Sequence, residues 1–221
     1  MKQEFTKKQL EEIEKQLSCP TGVKGIEIAN SMNLSNISMT KNSIDALKIS
    51  NSNRILEVGH GNCGHLKYIL NKATNINYIG LEISETMMKE ALLQLDKQQR
   101  SKNISFQLYD GEKIPFRNNY FDKIFTVNTL YFWKNPINFL TELSRVLKKD
   151  GICIITFAQK NFMQSLPFVN NKFKLYSNEN IKLLLKNTVF TIVNTLQKTE
   201  QVKSKSGNLV NRKYTLIVLK K

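Results

Sequence analysis

Apolar positions along this 221-residue chain change their period near residue 53. Upstream they recur at helical spacing. Thr6 and Gln9 make a capping-box pair, and Leu10, Ile13 and Leu17 then share one face until Cys19-Pro20 ends the run. A Gly22–Gly25 turn leads to two further short stretches of helical period, one carrying Ile26, Ile28, Ala29 and Met32, the other Ile44, Leu47 and Ile49. Downstream, extended and helical patterns alternate. Strands are predicted over 54–58, 76–81, 103–108, 121–127 and 151–157, with helices near 64–71, 85–100 and 136–148. Such alternation builds an α/β fold, a mostly parallel sheet with right-handed crossovers and helices on both faces. The 151–157 run is nearly continuous in apolar residues, as a central strand covered on both faces must be. After a helix near 178–187, two extended stretches, 189–202 and 209–219, flank Ser206-Gly207-Asn208, a hairpin that ends the sheet in an antiparallel pair. No repeat, low-complexity tract or linker interrupts the chain. The expected division is a helical extension over residues 1–50, placed to act as a lid, and one sheet domain over 51–221.

The chemistry concentrates where the first strand ends. Ile55, Leu56, Glu57 and Val58 run straight into Gly59-His60-Gly61-Asn62-Cys63-Gly64, and a helical stretch follows at once. Strand, glycine turn and helix start is the order that brings a nucleotide-like ligand against bare backbone. Gly59 and Gly61 can take positive φ and carry no Cβ to hold a ligand away. Two acids stand in register with this loop. Glu82 ends the second strand, where a carboxylate can accept from both ribose hydroxyls. Asp110 closes the third, placed to accept from an adenine amino group. A nicotinamide dinucleotide is the rival occupant, but that reading leaves Glu57 and Asp110 unused and needs a substrate domain that nothing in the pattern supplies.

Composition adds less than its numbers suggest. Lys+Arg of 33 against 18 Asp+Glu gives a net charge of +15, which invites a nucleic-acid partner. Yet the cations are 28 Lys and only 5 Arg, scattered along a chain that also holds 25 Asn and 21 Ile. That is the codon bias of an AT-rich genome, whereas nucleic-acid grooves favour arginine for bidentate contacts. Cys19, Cys63 and Cys153 are too few and too far apart for a disulfide framework or a metal knuckle, so no metal is expected and the thiols read as reduced in a cytoplasmic protein. Met1 to Lys8 has no apolar core for a signal peptide, and the Ile152–Ala158 run is far too short to span a membrane.

The ordered motifs carry a family resemblance over residues 53–158. Ile55 to Gly64 has the acid-x-Gly-x-Gly form, Gly80-Leu81-Glu82-Ile83-Ser84 a second motif, and Asp110-Gly111 a third. Phe121 to Phe125 with Asn128 matches a fourth, and Leu143 to Gly151 a helix and turn beyond it. This set resembles the class I S-adenosylmethionine-dependent methyltransferases, of the small-molecule type that includes the ubiquinone/menaquinone methyltransferases. The resemblance implies a Rossmann-like seven-stranded sheet of order 3-2-1-4-5-7-6 with the last strand antiparallel. It implies S-adenosyl-L-methionine as cofactor, held by Glu57, Gly59, His60, Gly61, Glu82, Ile83, Asp110, Gly111 and Asn128. Cys63 departs from the pattern, standing where the family often has a third glycine.

Methyl transfer from a sulfonium asks a protein for alignment and dryness rather than for a triad or a metal, so no residue stands out as catalytic. The two histidines, His60 and His65, both lie in the glycine motif, where a general base is conceivable but packing is the simpler role. Tyr131 and Trp133, after the fourth strand, are candidates to wall an acceptor pocket. The Asn/Asp-Pro-Pro-Tyr/Phe motif of amino-methylating nucleic-acid enzymes is absent. A small-molecule acceptor, methylated by in-line displacement, is therefore expected, with an RNA-modifying or RNA-binding protein of the same fold as the alternative. The hairpin cations Lys203, Lys205, Arg212 and Lys213 are candidates to attract an anionic acceptor.

Overall fold

A computed structural model of the chain describes residues 5–95, 103–170, 172–203 and 209–221. Helices α1 (Lys7–Ser18) and α2 (Gly22–Ala46) precede the sheet. Then β1 (Arg54–Val58), α3 (Leu66–Leu70), β2 (Asn77–Glu82), α4 (Glu85–Leu93), β3 (Ile104–Leu108) and β4 (Phe121–Val127) alternate. A short 3₁₀ turn (Leu130–Phe132) leads to α5 (Pro136–Val146), β5 (Leu147–Ala158), α6 (Lys160–Met163), α7 (Asn178–Leu185), β6 (Thr191–Lys203) and β7 (Leu209–Lys220). The seven strands lie in the order β3-β2-β1-β4-β5-β7-β6. All pairings are parallel up to β4–β5, and β7 runs antiparallel to both β5 and β6, as the resemblance implied. The predicted turn at Ser206-Gly207-Asn208 lies outside the described residues, as does the stretch of predicted helix beyond Leu95.

Each face of the sheet has its own core. One packs Leu56, Val58, Ile124 and Ile155 against Phe139, Leu140 and Leu143 of α5 and Ile181 and Leu185 of α7. The other packs Ile55, Tyr78, Phe125 and Ile154 against Met39 and Ile44 of α2, Leu66 and Ile69 of α3, and Ala91 of α4. The strict alternation of side chains along each strand feeds both cores at once. Among the described residues no helix is long and apolar enough to cross a membrane.

The N-terminal region differs from its sequence pattern. α1 begins at the expected capping box, Gln9 N–H donating to Thr6 Oγ1 at 3.3 Å. The two short stretches that follow are one helix of 25 residues, because nothing between Gly25 and Ala46 breaks it. Its second half is also not a detachable cover. Met39, Ile44 and Leu47 are fully buried, Ser43 Oγ meets Thr156 Oγ1 at 2.6 Å, and Asn42 Nδ2 donates to the Tyr214 hydroxyl at 2.9 Å. The packing boundary therefore falls within α2 rather than at residue 50. The buried Arg212 clamps the middle of the helix. It donates to Glu200 at 2.6 Å, to Ser35 O at 2.6 Å and to Asn36 Oδ1 at 2.8 Å.

Gly80, in β2, has no room for a side chain. A Cβ there would stand 2.7 Å from His60 Cδ2 and 2.9 Å from Phe106 Cδ1, two buried rings with no room to withdraw. Gly80→Ala should cost about 1–3 kcal/mol of stability, measured as a lowered urea midpoint with an unchanged slope.

Candidate active site

The carboxyl ends of β1, β2 and β4 open into a cavity of about 190 Å³, roofed by α1 and the first half of α2. Gly59 and Gly61 line it with φ of +73° and +56°. A Cβ on Gly61 would meet nothing within 4 Å, so the loop offers bare backbone to the space in front of it. Gly59 is needed for another reason: a Cβ there would lie 2.4 Å from Thr129 Cγ2. Glu82 ends β2 facing the loop. Its carboxylate accepts from Gly61 N–H at 3.0 Å, Ile83 N–H at 2.8 Å and Ser84 N–H at 3.2 Å, so one side chain fixes both the glycine loop and the turn after β2. Ile83, 42% exposed, lies on the same cavity and offers it an apolar surface.

Beneath the loop lies a buried polar cluster that the spacing of the sequence did not reveal. Glu57 is 2% exposed, and its Oε2 accepts from His65 Nε2 at 2.8 Å and from the Tyr78 hydroxyl. Because the single Tyr78 proton goes to Glu57, the 3.3 Å contact between Tyr78 and Cys63 Sγ has the thiol as donor. Burial opposes charge on His65, but the Glu57 carboxylate beside it, with Cys63, outweighs burial and holds the imidazole well above its usual range. Burial also pushes the Cys63 thiol and the Tyr78 phenol up, keeping both protonated. Cys63 is thus a packing residue, at φ +52° in the place of a glycine. Donor atoms of Glu57, Cys63 and His65 lie within 4.8 Å of one another, already engaged by these hydrogen bonds.

The remaining predicted residues divide. His60 lines the cavity with its ring turned inward, 4.7 Å from Phe106, and Nδ1 donates to Gly61 O at 2.7 Å. Burial drives its pKa down against the opposing pull of Glu82 and Glu57, so the ring is neutral and Nε2 has no hydrogen-bond partner. Gly111 reaches the cavity, at φ +79°, but the exposed Asp110 does not. Asp110 Oδ1 instead accepts from Glu112 and Lys113 N–H at 2.8 and 2.7 Å, shaping its own turn. Asn128, at φ +59°, uses Oδ1 to accept from the Tyr131 hydroxyl at 3.0 Å and Ala158 N–H at 3.2 Å. Trp133 lines this cavity, its indole donating to Thr129 Oγ1 at 3.2 Å. Tyr131 lines a second cavity of about 180 Å³, which shares Leu17, Met32, Asn36, Asn128 and Phe132 with the first. Of the hairpin cations, Lys203 lies on the second cavity, Lys205 falls outside the described residues, and Arg212 is spent on Glu200. Asn33, Asn36 and Thr40 of α2 also line the site; no motif marks them.

Residues 56–155 match the methyltransferase domain family. Over that stretch the chain is similar to the class I S-adenosylmethionine-dependent methyltransferases. S-adenosylmethionine is the cofactor of this family and fold. The fit is visible here, in the open backbone at Gly61 and the Glu82 carboxylate beside it. Among relatives, the chain is 29% identical over 115 residues to an uncharacterized methyltransferase of Bacillus subtilis, covering 51% of this chain and 60% of that protein. It is 26% identical over 131 residues to phthiotriol/phenolphthiotriol dimycocerosates methyltransferase 1 of Mycobacterium ulcerans, covering 59% and 46%. The matches thus span about half of each of these relatives. A crystal structure of an S-adenosylmethionine-dependent methyltransferase from Aquifex aeolicus shares the fold at a TM-score of 0.60 and 19% identity, covering 97% of this chain and 99% of that one.

The two histidines pull stability in opposite directions with pH. For His65, whose folded pKa is raised, the stabilisation is complete below the unfolded value of about 6.5 and is lost as pH rises through the folded pKa. For His60, whose folded pKa is lowered, stability falls as pH drops below about 6.5. Melting wild type and His65→Gln from pH 5 to 9 should show a gap that is widest below pH 6.5 and narrows above it.

Proposed function

We propose that the protein transfers a methyl group from S-adenosylmethionine to a small-molecule acceptor housed in the second cavity. The observation that carries this reading is that the two cavities abut at Asn128 and Phe132, which line both. The cofactor supplies an already activated methyl group when bound. The protein's part is to hold the partners in line and exclude water. In this reading Glu82 accepts from the ribose hydroxyls with lone pairs that its three backbone contacts leave unused, and Ile83 covers one face of the adenine. Gly59 and Gly61 keep the backbone close, and the Glu57 cluster holds the loop from below. The mycobacterial relative named for a phthiotriol dimycocerosate supports an apolar, lipid-like acceptor, and the comparisons do not favour the RNA alternative. His65 is buried and engaged with Glu57, so it does not serve as the base.

Calorimetry with S-adenosylhomocysteine tests the site. One-to-one binding is expected, with Glu82→Ala losing about 2 kcal/mol, roughly thirtyfold in affinity. Gly61→Val should abolish binding while the sheet still folds, since its side chain enters the ligand's space; undiminished binding in either variant would overturn the assignment.

The first half of α2 and α1 form the cover. Asn62 Nδ2 donates to Asn30 Oδ1 at 2.8 Å, and Gly64 approaches Asn33 so closely that a Cβ would lie 2.1 Å from its Nδ2, so the glycine loop touches the roof directly. Ligand binding should order this contact. Limited proteolysis between residues 18 and 36 should slow when S-adenosylhomocysteine is added, and equal cleavage with and without it would refute the lid.

A further inference from the structure

The second cavity has a chemistry of its own. Its inner wall is aromatic and aliphatic, built by Tyr131, Phe162, Met163, Leu166, Phe168 and Phe173. The charged residues among its lining are Lys203 and Arg212, both cationic, and no carboxylate joins them. Arg212 is paired with Glu200 at 2.6 Å, which leaves the exposed Lys203 to set the potential at the hairpin end. An apolar slot under a positive rim selects an amphipathic anion. The lining decides the acceptor atom too. Neither the second cavity nor its junction with the first includes a carboxylate, imidazole or thiol among the described residues. Nothing there can take a proton from an alcohol, whereas an acceptor that arrives already deprotonated needs no base. A carboxylic acid does so at neutral pH, whereas an alcohol or an alkylammonium does not.

We propose that the second cavity binds an amphipathic carboxylate. Its apolar body lies between the aromatic wall and Leu17 and Met32, and a carboxylate oxygen at the Asn128–Phe132 junction accepts the methyl group. The inference rests on the methyl-transfer reading above. An oxygen lone pair forms the new C–O bond while the methyl–sulfur bond breaks. The electrons of that bond stay on sulfur, the carboxylate and sulfonium charges cancel, and no proton moves.

The test uses the full chain saturated with S-adenosylhomocysteine, titrated with decanoate, decan-1-ol and acetate. Calorimetry reads binding, and mass spectrometry with S-adenosylmethionine reads methyl decanoate. Decanoate should bind one to one, about tenfold tighter than decan-1-ol, should exceed acetate by more, and should yield the ester. Lys203→Glu should weaken decanoate by about threefold at low salt, and Phe162→Asp by more than about tenfold, with S-adenosylhomocysteine affinity unchanged in both. Lys203 is exposed, so its variant keeps the test alive if Phe162→Asp fails to fold. Decan-1-ol binding as tightly as decanoate, decanoate binding without ester, or no decanoate binding to a protein that still binds S-adenosylhomocysteine would each overturn this inference alone. Failure to bind S-adenosylhomocysteine would overturn the methyl-transfer reading, and this inference with it.

Discussion

A carboxylate buried in the middle of the first strand is the constraint around which the site is organised. Glu57 has almost no contact with water, and an unpaired charge there would be far too costly for a protein of ordinary stability. Its partners come from three different places: His65 at the start of α3, Tyr78 in β2, and Cys63 behind Tyr78. Each must be where it is for the charge to be tolerated. Satisfying Glu57 therefore fixes where the glycine loop turns, where α3 starts and how β2 sits beside β1. The second carboxylate, Glu82, then holds the upper side of the same loop through Gly61 N–H. The loop is pinned from below by a buried acid and from the front by a second one that keeps lone pairs for a ligand.

Pinning from both sides explains how a loop with a strained residue persists. Cys63 adopts a left-handed backbone conformation that glycine would take freely, at a cost on the order of 1 kcal/mol. The thiol is fully buried and hydrogen-bonded to Tyr78, so the cluster returns part of that cost. His60 shows the opposite balance. Its ring fills the space above Gly80 and beside Phe106, and an unpartnered Nε2 is the penalty for that packing.

The charge of the chain has a local meaning where it is buried and little where it is not. Most of the lysines are exposed, and pairs such as Lys89–Glu85 and Lys134–Glu112 lie in solvent, where ion pairs contribute little. Arg212 is different. Its fork reaches Glu200, Ser35 and Asn36 at once, which a lysine could not do, and so couples the β6–β7 hairpin to the helix that roofs the site.

Strand periodicity, the glycine loop and the order of the acids were legible in the sequence, because each depends on neighbours a few residues apart. The sheet order followed from the family resemblance, and the antiparallel end from the hairpin pattern. Glu57, Gly59, Gly61 and Glu82 stood out as candidates for the same local reason. What the sequence could not disclose depends on contacts between distant segments. The long α2 was hidden because its apolar residues face different partners along its length, the roof first and the core later, so no single stripe runs through it. The Glu57–His65–Tyr78–Cys63 cluster joins residues that share no motif, and its protonation is set by burial that only packing creates. Asp110 kept its place in the chain but spends Oδ1 on its own turn, a choice made by loop geometry rather than residue type. The second cavity is the extreme case: its walls come from α1, α2, the turn after β4, the segment after β5 and the final hairpin, and they meet only in the folded chain.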